Sequence, residues 1–339
     1  MTTTAPRKIE LVSPAGALPS LKVAVDNGAD CVYFGFKDAT NARNFSGLNF
    51  DLAQIREGIA YAHQRGCKVL LALNTYPLDS NQADWIATVD RAAELEVDAV
   101  IIADPGLMAY AARVYPKLRL HLSVQGSATS FEAINFYYER FGIQRAVLPR
   151  VLSLAQIEQL VANTPVEIEV FGFGGLCVMV EGRCALTTYA TGQSNNCFGA
   201  CSADAFVRWE QTPHGMDTRL NGILINRYAD GERASYPTLC KGRFTVNDET
   251  YYAIEEPASL NTLEMLPTLV SAGISAIKIE GRQRNTAYVA QVTKIWRAAL
   301  DALARDPDHF TAQDNWMAEL NKVSEGQTHT LGAYYRPWK

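Results

Sequence analysis

From residue 9 onward a short apolar, β-branched run, a polar turn and an amphipathic helical stretch follow one another again and again, and this rhythm leaves few folds open. The apolar runs fall at 9–12, 31–36, 68–73, 99–103, 119–124, 146–148, 166–171 and 276–279. Helical spacing lies between them, as at 52–64, 82–94, 154–162 and 287–304, with Ser153 and Thr286 placed to cap the last two. Strands alternating with helices build a parallel sheet whose two faces are both covered. Eight such strands close into a (β/α)8, TIM-like barrel. The rival is an open doubly wound sheet, but no G-x-G-x-x-G follows the first strand, so the reading is an α/β barrel.

One excursion breaks the rhythm. About a hundred residues separate the seventh run from the eighth, where a strand-to-helix connection takes a handful. The expected organisation is a barrel over 9–304 with an insertion at 174–258, followed by a tail, 305–339, packed on the barrel. Residues 1–8 read as a frayed end. Within the excursion the spacing predicts a hairpin, 242–246 with 251–254, turning at Asn247 and Asp248. A helix over 260–271, entered by Ser259, follows it. A structureless loop of that length is out of place in a compact domain, so something must hold it together.

Five of the seven cysteines lie there: Cys177, Cys184, Cys197, Cys201 and Cys240. The glycines Gly172, Gly174, Gly175 and Gly182 let backbone bend close to a neighbour around the first two. Nothing at the N-terminus resembles a secretory signal, so a reducing compartment is expected and a disulfide net is disfavoured. Zinc ribbons use paired C-x2-C knuckles, which this sequence lacks. C-x6-C followed by distant single thiols suits a larger iron–sulfur cofactor reached from separate loops, with zinc or inert thiols as alternatives. Cys31 and Cys67, at the edges of strands, read as small buried apolar side chains.

Residues just beyond each strand face the active end of such a barrel. Here they are Ser13, Asn41, Arg43, Asn74, Thr75, Asp104, Ser123, Gln125, Arg150, Glu169, Glu280 and Arg282. Candidate substrate contacts are Arg43, Asn74, Gln125, Arg150, Glu169, Glu280 and Arg282. Guanidinium forks grip carboxylates, so Arg43, Arg150 and Arg282 point to an anionic ligand. Solvated loop residues, or a Glu280–Arg282 pair closing the barrel end, are the plainer alternatives. No catalytic residue is assigned. H-E-x-x-H and G-x-S-x-G are both missing from the sequence, and His121 alone among the histidines sits on a strand, where a core role suits it. The net charge of −5 argues against a protein that coats nucleic acid. No apolar run reaches membrane-spanning length, so a cytoplasmic protein is expected.

The stretch E-V-F-G-F-G-G-L-C-V-M-V-E-G-R-C-A-L-T resembles the signature of the collagenase-like peptidase family. L-V-S-P-A-G, N-G-A-D-C-V-Y-F-G, V-L-P-R, T-L-C-K-G-R and I-K-I-E-G-R extend the likeness over nearly the whole chain. Gly175 and Thr187 depart from the usual Ser or Ala, and Ser, and neither position calls for a thiol. The resemblance implies a 4Fe–4S cluster on Cys177, Cys184, Cys201 and Cys240, leaving Cys197 aside, with Tyr189 near enough to shield it. N-A-R-N-F-S-G-L-N-F, R-W-E-Q-T-P-H-G and the ending L-G-A-Y-Y-R-P-W-K are similar to the ubiquinone-biosynthesis branch of the family. That likeness implies oxygen-independent hydroxylation of a ubiquinone precursor ring by the iron–sulfur subunit of a heterodimer with a UbiV-like paralogue. It further implies a prephenate-like dicarboxylate as oxygen donor, held by Arg43, Arg150 and Arg282, and a lipid-carrier protein that delivers the precursor. Other members hydroxylate RNA pyrimidines, which is the alternative substrate. Peptidase activity, despite the family's name, has no visible machinery here.

Overall fold

The first seven strands of the computed structural model are β1 (Glu10–Pro14), β2 (Cys31–Phe34), β3 (Lys68–Leu73), β4 (Ala99–Ile102), β5 (Leu120–Leu122), β6 (Arg145–Val147) and β7 (Glu167–Gly175). Helices α1 (Leu18–Asp26), α2 (Leu52–His63), α3 (Gln82–Glu94), α4 (Pro105–Val114), α5 (Phe131–Phe141) and α6 (Leu154–Asn163) alternate with them. The structure describes residues 8–45, 47–177, 184–232 and 234–335; Gly182, residues 1–7 and the last four of the expected tail lie outside that set.

Beyond β7 come two short helices, α7 (Ala185–Thr191) and α8 (Asn195–Phe198). An antiparallel meander follows, β8 (Val207–Thr212), β9 (Gly215–Leu220) and β10 (Ile223–Tyr228), then a hairpin, β11 (Arg243–Val246) and β12 (Glu249–Tyr252). The chain returns through β13 (Ser259–Asn261), α9 (Leu266–Ser271), β14 (Ala276–Ile279), α10 (Thr286–Arg305), α11 (Asp314–Val323) and β15 (His329–Thr330). Strand β14 pairs in parallel with both β1 and β7, so eight parallel strands close the barrel.

Alternation along the strands divides the side chains between two environments. Val12, Cys31, Tyr33, Leu70, Ala99, Ile101 and Ala276 form an apolar cluster of their own within the barrel. Their neighbours Leu11, Val32, Leu71, Val100 and Ile277 belong to the main core with Trp85 and Trp296 from the helices. Toward the strands' N-terminal ends an ionic network replaces apolar filling. Arg145 meets Glu10 at 2.5 Å, Glu167 at 2.8 Å and Glu169 at 3.3 Å, and Lys68 also reaches Glu10, at 2.5 Å. Cys31 and Cys67 are buried, in keeping with an apolar role.

Several local expectations are corrected. The cap of α10 is Asn285, whose side chain accepts from Tyr288 N–H at 2.9 Å; Thr286 is the first helical residue. Ser153 does cap α6, in a reciprocal capping box with Gln156. The expected helix over 260–271 starts only at Leu266. Pro267 is tolerated in a helix's first turn and not deeper, while the residues ahead of it pair as β13 with β7. The hairpin turns at Asn247 and Asp248, with φ of 51° and 67°, but its first strand starts one residue later than the spacing predicted and its second lies two residues earlier, at Glu249–Tyr252. The meander β8–β10 was not anticipated, because charged residues on its exposed faces mask the period of two: β8 buries Val207 and exposes Arg208, Trp209, Glu210 and Gln211.

Candidate functional site at the barrel mouth

Loops beyond β2, β3, β5, β6 and β14 converge, with Phe171 of β7, on one cleft of about 440 Å³, counting the part open to solvent. It is lined by Tyr33, Arg43, Asn74, Val124, Gln125, Arg150, Phe171, Lys278, Glu280 and Arg282. A concave site with convergent polar groups at this end of the strands is where the fold binds small ligands.

The loop after β2 is fixed by amides. Buried Asn41 donates to Phe36 O at 3.0 Å and to Asn49 Oδ1 at 2.8 Å, while its own Oδ1 accepts from Arg43 N–H at 3.0 Å. The same Oδ1 takes Arg282 Nη1 at 2.6 Å, so Asn41 orients two of the arginines. Asn74 accepts from Ala42 N–H at 3.0 Å and binds the loops after β2 and β3 together. Arg150 lies over the Phe171 ring, 4.6 Å from its centroid, and donates to Gly175 O. Gly175 N–H in turn donates to Glu280 Oε2 at 3.3 Å. Tyr33 Oη donates to Ile279 O at 2.8 Å.

Burial opposes the charge on Glu280, yet Arg43, Arg284, Arg150 and the Gly175 N–H together hold its carboxyl below the usual range. Burial also loosens the proton of Arg282, with Arg43 adding repulsion, and brings that guanidinium down to about 10. The cleft therefore sets four cations, Arg43, Arg150, Arg282 and Lys278, against one carboxylate.

Six predicted contacts, Arg43, Asn74, Gln125, Arg150, Glu280 and Arg282, stand together on this cleft. Glu169 does not line it; fully buried, it accepts from Lys278 Nζ at 2.7 Å. Other residues from the mouth set turn to structural partners. Ser13 meets Thr293, Thr75 donates to Ala39 O, Asp104 caps α4, and Ser123 accepts from Gln125 N–H. Sequence reasoning passed over Tyr33 and Lys278. The available signal was a tyrosine and a lysine at the inward positions of short apolar strands, where bulky aliphatics are usual.

The thiol-bearing segment leaves the barrel at this cleft. Gly174 has φ 125°, and a Cβ there would lie 2.6 Å from Glu280 Cβ and 2.8 Å from its carbonyl oxygen. Gly174→Ala is expected to cost on the order of 3 kcal/mol in chemical denaturation, from strain and overpacking together. Gly192→Ala serves as the comparison. Its φ is 73° with no atom within 4 Å, so only the backbone penalty of about 1 kcal/mol applies.

Cys177 is exposed, while Cys184, Cys197, Cys201 and Cys240 are half-buried. Cys184 caps α7, and Thr187 of that helix donates to Cys201 O at 2.6 Å. Burial pushes the Cys240 thiol up to about 12, and Glu255, Cys201 and Cys177 act in the same direction. Burial also raises Cys201, and Cys184 adds to it. Four soft donors from three stretches of the chain thus share one electrostatic neighbourhood. Among the described residues no three His, Cys, Asp or Glu side chains converge on a single point as one tetrahedral ion requires. Four thiolates are the donor set that a polynuclear iron–sulfur cluster takes, each thiol on its own iron.

A Ser–His contact occurs in the C-terminal segment, with His329 Nε2 and Ser324 Oγ 2.7 Å apart. Asn261 Oδ1 accepts from Leu263 N–H, which turns its NH2 to His329 Nδ1 at 3.2 Å. Nδ1 is then the acceptor and Nε2 carries the proton, while Ser324 donates to Leu320 O. In that tautomer the imidazole cannot take the serine's proton, so the pair is structural.

The sequence profile described as peptidase family U32 matches residues 16–337. The tRNA hydroxylation protein P1 of Bacillus subtilis is 30% identical over 96% of this chain and 70% of its own length. A protein of Porphyromonas gingivalis named collagenase is 29% identical over 93% of this chain and 70% of its own. The 23S rRNA 5-hydroxycytidine C2501 synthase of Escherichia coli is 28% identical over 96% of this chain but 43% of its own length.

Proposed function

The chain belongs to peptidase family U32, and on that premise we propose that it hydroxylates an unsaturated ring without molecular oxygen. Relatives named for RNA hydroxylation support the reaction class. One observation carries the reading: the segment with the thiols starts at Gly175, whose carbonyl takes Arg150 and whose N–H binds Glu280, so thiols and cation-rich cleft share one end of the barrel. A 4Fe–4S cluster on Cys177, Cys184, Cys201 and Cys240 would supply electron transfer beside the cleft. Arg43, Arg150 and Arg282 grip the carboxylates of a prephenate-like donor, and Phe171 and Tyr33 offer apolar faces to the ring.

The ring we favour is a ubiquinone precursor, with the chain in the role of UbiU beside a UbiV-like paralogue and a lipid carrier delivering the precursor in the cytoplasm. Support comes from the ubiquinone-branch motifs and the acidic net charge of −5. Among the described residues no helix is long and apolar enough to cross a membrane. The second reading, hydroxylation of an RNA pyrimidine, draws on the names of the relatives.

Anaerobic incubation of the chain, co-purified with its paralogue, should separate the two. With prephenate, which would give up its hydroxyl and take the ring's hydrogen and so be reduced as the ring is oxidised, mass spectrometry is expected to find one added oxygen on the quinone precursor and none on transcribed tRNA or rRNA. Hydroxylated pyrimidine without ring product would reverse the assignment. Cleavage of denatured collagen by metal-free protein would restore the peptidase.

A further inference from the structure

We propose that Lys278 is a ligand-contacting cation at the floor of the cleft, and that Glu169 is the positioning residue that holds it there. The inference rests on the anionic-donor reading above and adds a group that was not among the candidate substrate contacts.

Lys278 lines the cleft although only 5% of it is exposed. Its ammonium carries three donors. One goes to Glu169 Oε1 at 2.7 Å, and the charge also lies 3.9 Å from the Tyr33 ring centroid. Two donors are left over after that bond, on a side chain that lines the cleft. A buried ammonium is costly without a partner, and Glu169 divides its carboxylate between Lys278 and Arg145. Arg145 is also met by Glu10 and Glu167, so the surplus positive charge lies at the cleft, where Lys278, Arg43, Arg150 and Arg282 face the carboxylate of Glu280 and a ligand carboxylate would meet it.

The position is determined from the far end of the barrel. Alternating charges run from exposed Lys68 through Glu10, Arg145 and Glu169 to Lys278. Each group fixes the next, so the ammonium has little room to swing away. Burial loosens its proton, Arg282 and Arg145 push the same way, and Glu169 opposes them. Tyr33 and His121 are the other titratable groups that feel or face it. Glu169 is therefore the one counter-charge holding the proton in place. Without it the ammonium discharges as pH rises through a pKa lowered further, and keeps its charge below that point.

Calorimetric titration of the purified full chain with malonate, from pH 6 to 9, tests this. Lys278→Met is expected to weaken binding at least about tenfold at every pH, the scale of one charge-assisted hydrogen bond, with Lys278→Arg restoring most of it. Glu169→Gln is expected to bind close to wild type at pH 6 and to lose about tenfold by pH 9 as the ammonium discharges. Should either single variant fold poorly, the double variant Lys278→Met/Glu169→Gln removes both charges and is expected to show the same pH-independent loss. Arg150→Ala separates the two readings. If it weakens binding while Lys278→Met and Glu169→Gln match wild type, the Lys278 inference alone is overturned. If malonate does not bind the wild type, both readings are overturned.

Discussion

Cys240→Ala, purified without oxygen, is expected to come off the column colourless and nearly free of iron and sulfide, where the wild type is brown. Cys177→Ala should behave alike, and Cys197→Ala should keep its colour. The four proposed ligands come from three stretches of the insertion, Cys177 and Cys184 both lying between β7 and α7, and each would bind its own iron, so each deletion opens the site. Cys197 is carried on α8, while Cys184 and Cys201 are tied together through Thr187. Iron and sulfide analysis reads the outcome directly. A colourless wild type with one zinc per chain would replace the cluster by a staple.

The same variants should loosen the segment between β7 and β14. Between β7 and β13 its buried apolar residues include Ala190, Ala200, Val207, Leu220, Ile225 and Tyr228, with Phe206, Leu239 and Phe244 packed against the satellite core. That is little burial to order some eighty residues, and metal-ligand bonds supply what burial lacks in such segments. Limited proteolysis is expected to cut cluster-free protein in this segment first and leave the barrel whole.

The barrel was legible because its strands obey a strict local rule. β3, β14 and α3 fall on the very residues that periodicity marked, since strands buried on both faces carry uninterrupted apolar runs. The meander escaped the same reading. It rests one face on a small satellite core and turns charged residues outward, so its pattern resembles a polar loop. At the mouth, position after a strand brought Arg43, Arg150 and Arg282 into view, but could not tell a residue facing the cleft from one facing a helix. Ser13 illustrates the limit, sitting at a strand end yet bonded to Thr293 of α10. Lys278 illustrates the converse: a charge inside an apolar strand needs a buried partner, and only the folded barrel brings Glu169 to it.

Arg145 should prove the residue whose loss harms stability most. It is almost wholly buried and contacts Glu10, Glu167 and Glu169 from three sides of the barrel floor. Arg145→Met leaves those carboxylates facing one another with Lys68, Arg119 and Lys278 as remaining partners. Breaking a buried charge network from one side typically costs about 3–5 kcal/mol, and the denaturation midpoint should fall accordingly. The acid limb adds a second signature. Burial works against the charge on Glu10, but bonds from Lys68 and Arg145 bring its carboxyl down to about 2 from 4.5. A carboxyl lowered on folding adds stability above its unfolded value and loses it as pH falls toward the folded one. For Glu10 the contribution is present at neutral pH and lost between about pH 5 and 2. Glu167 is lowered as well, by Arg145 and Arg119 against its burial, and acts in the same window. In Arg145→Met both carboxyls lose their strongest partner, so acid unfolding should begin at higher pH than in wild type. A parallel fall in stability at pH 7 and pH 4, with no shift of the acid limb, would mean that Arg145 acts through packing and not through its charge.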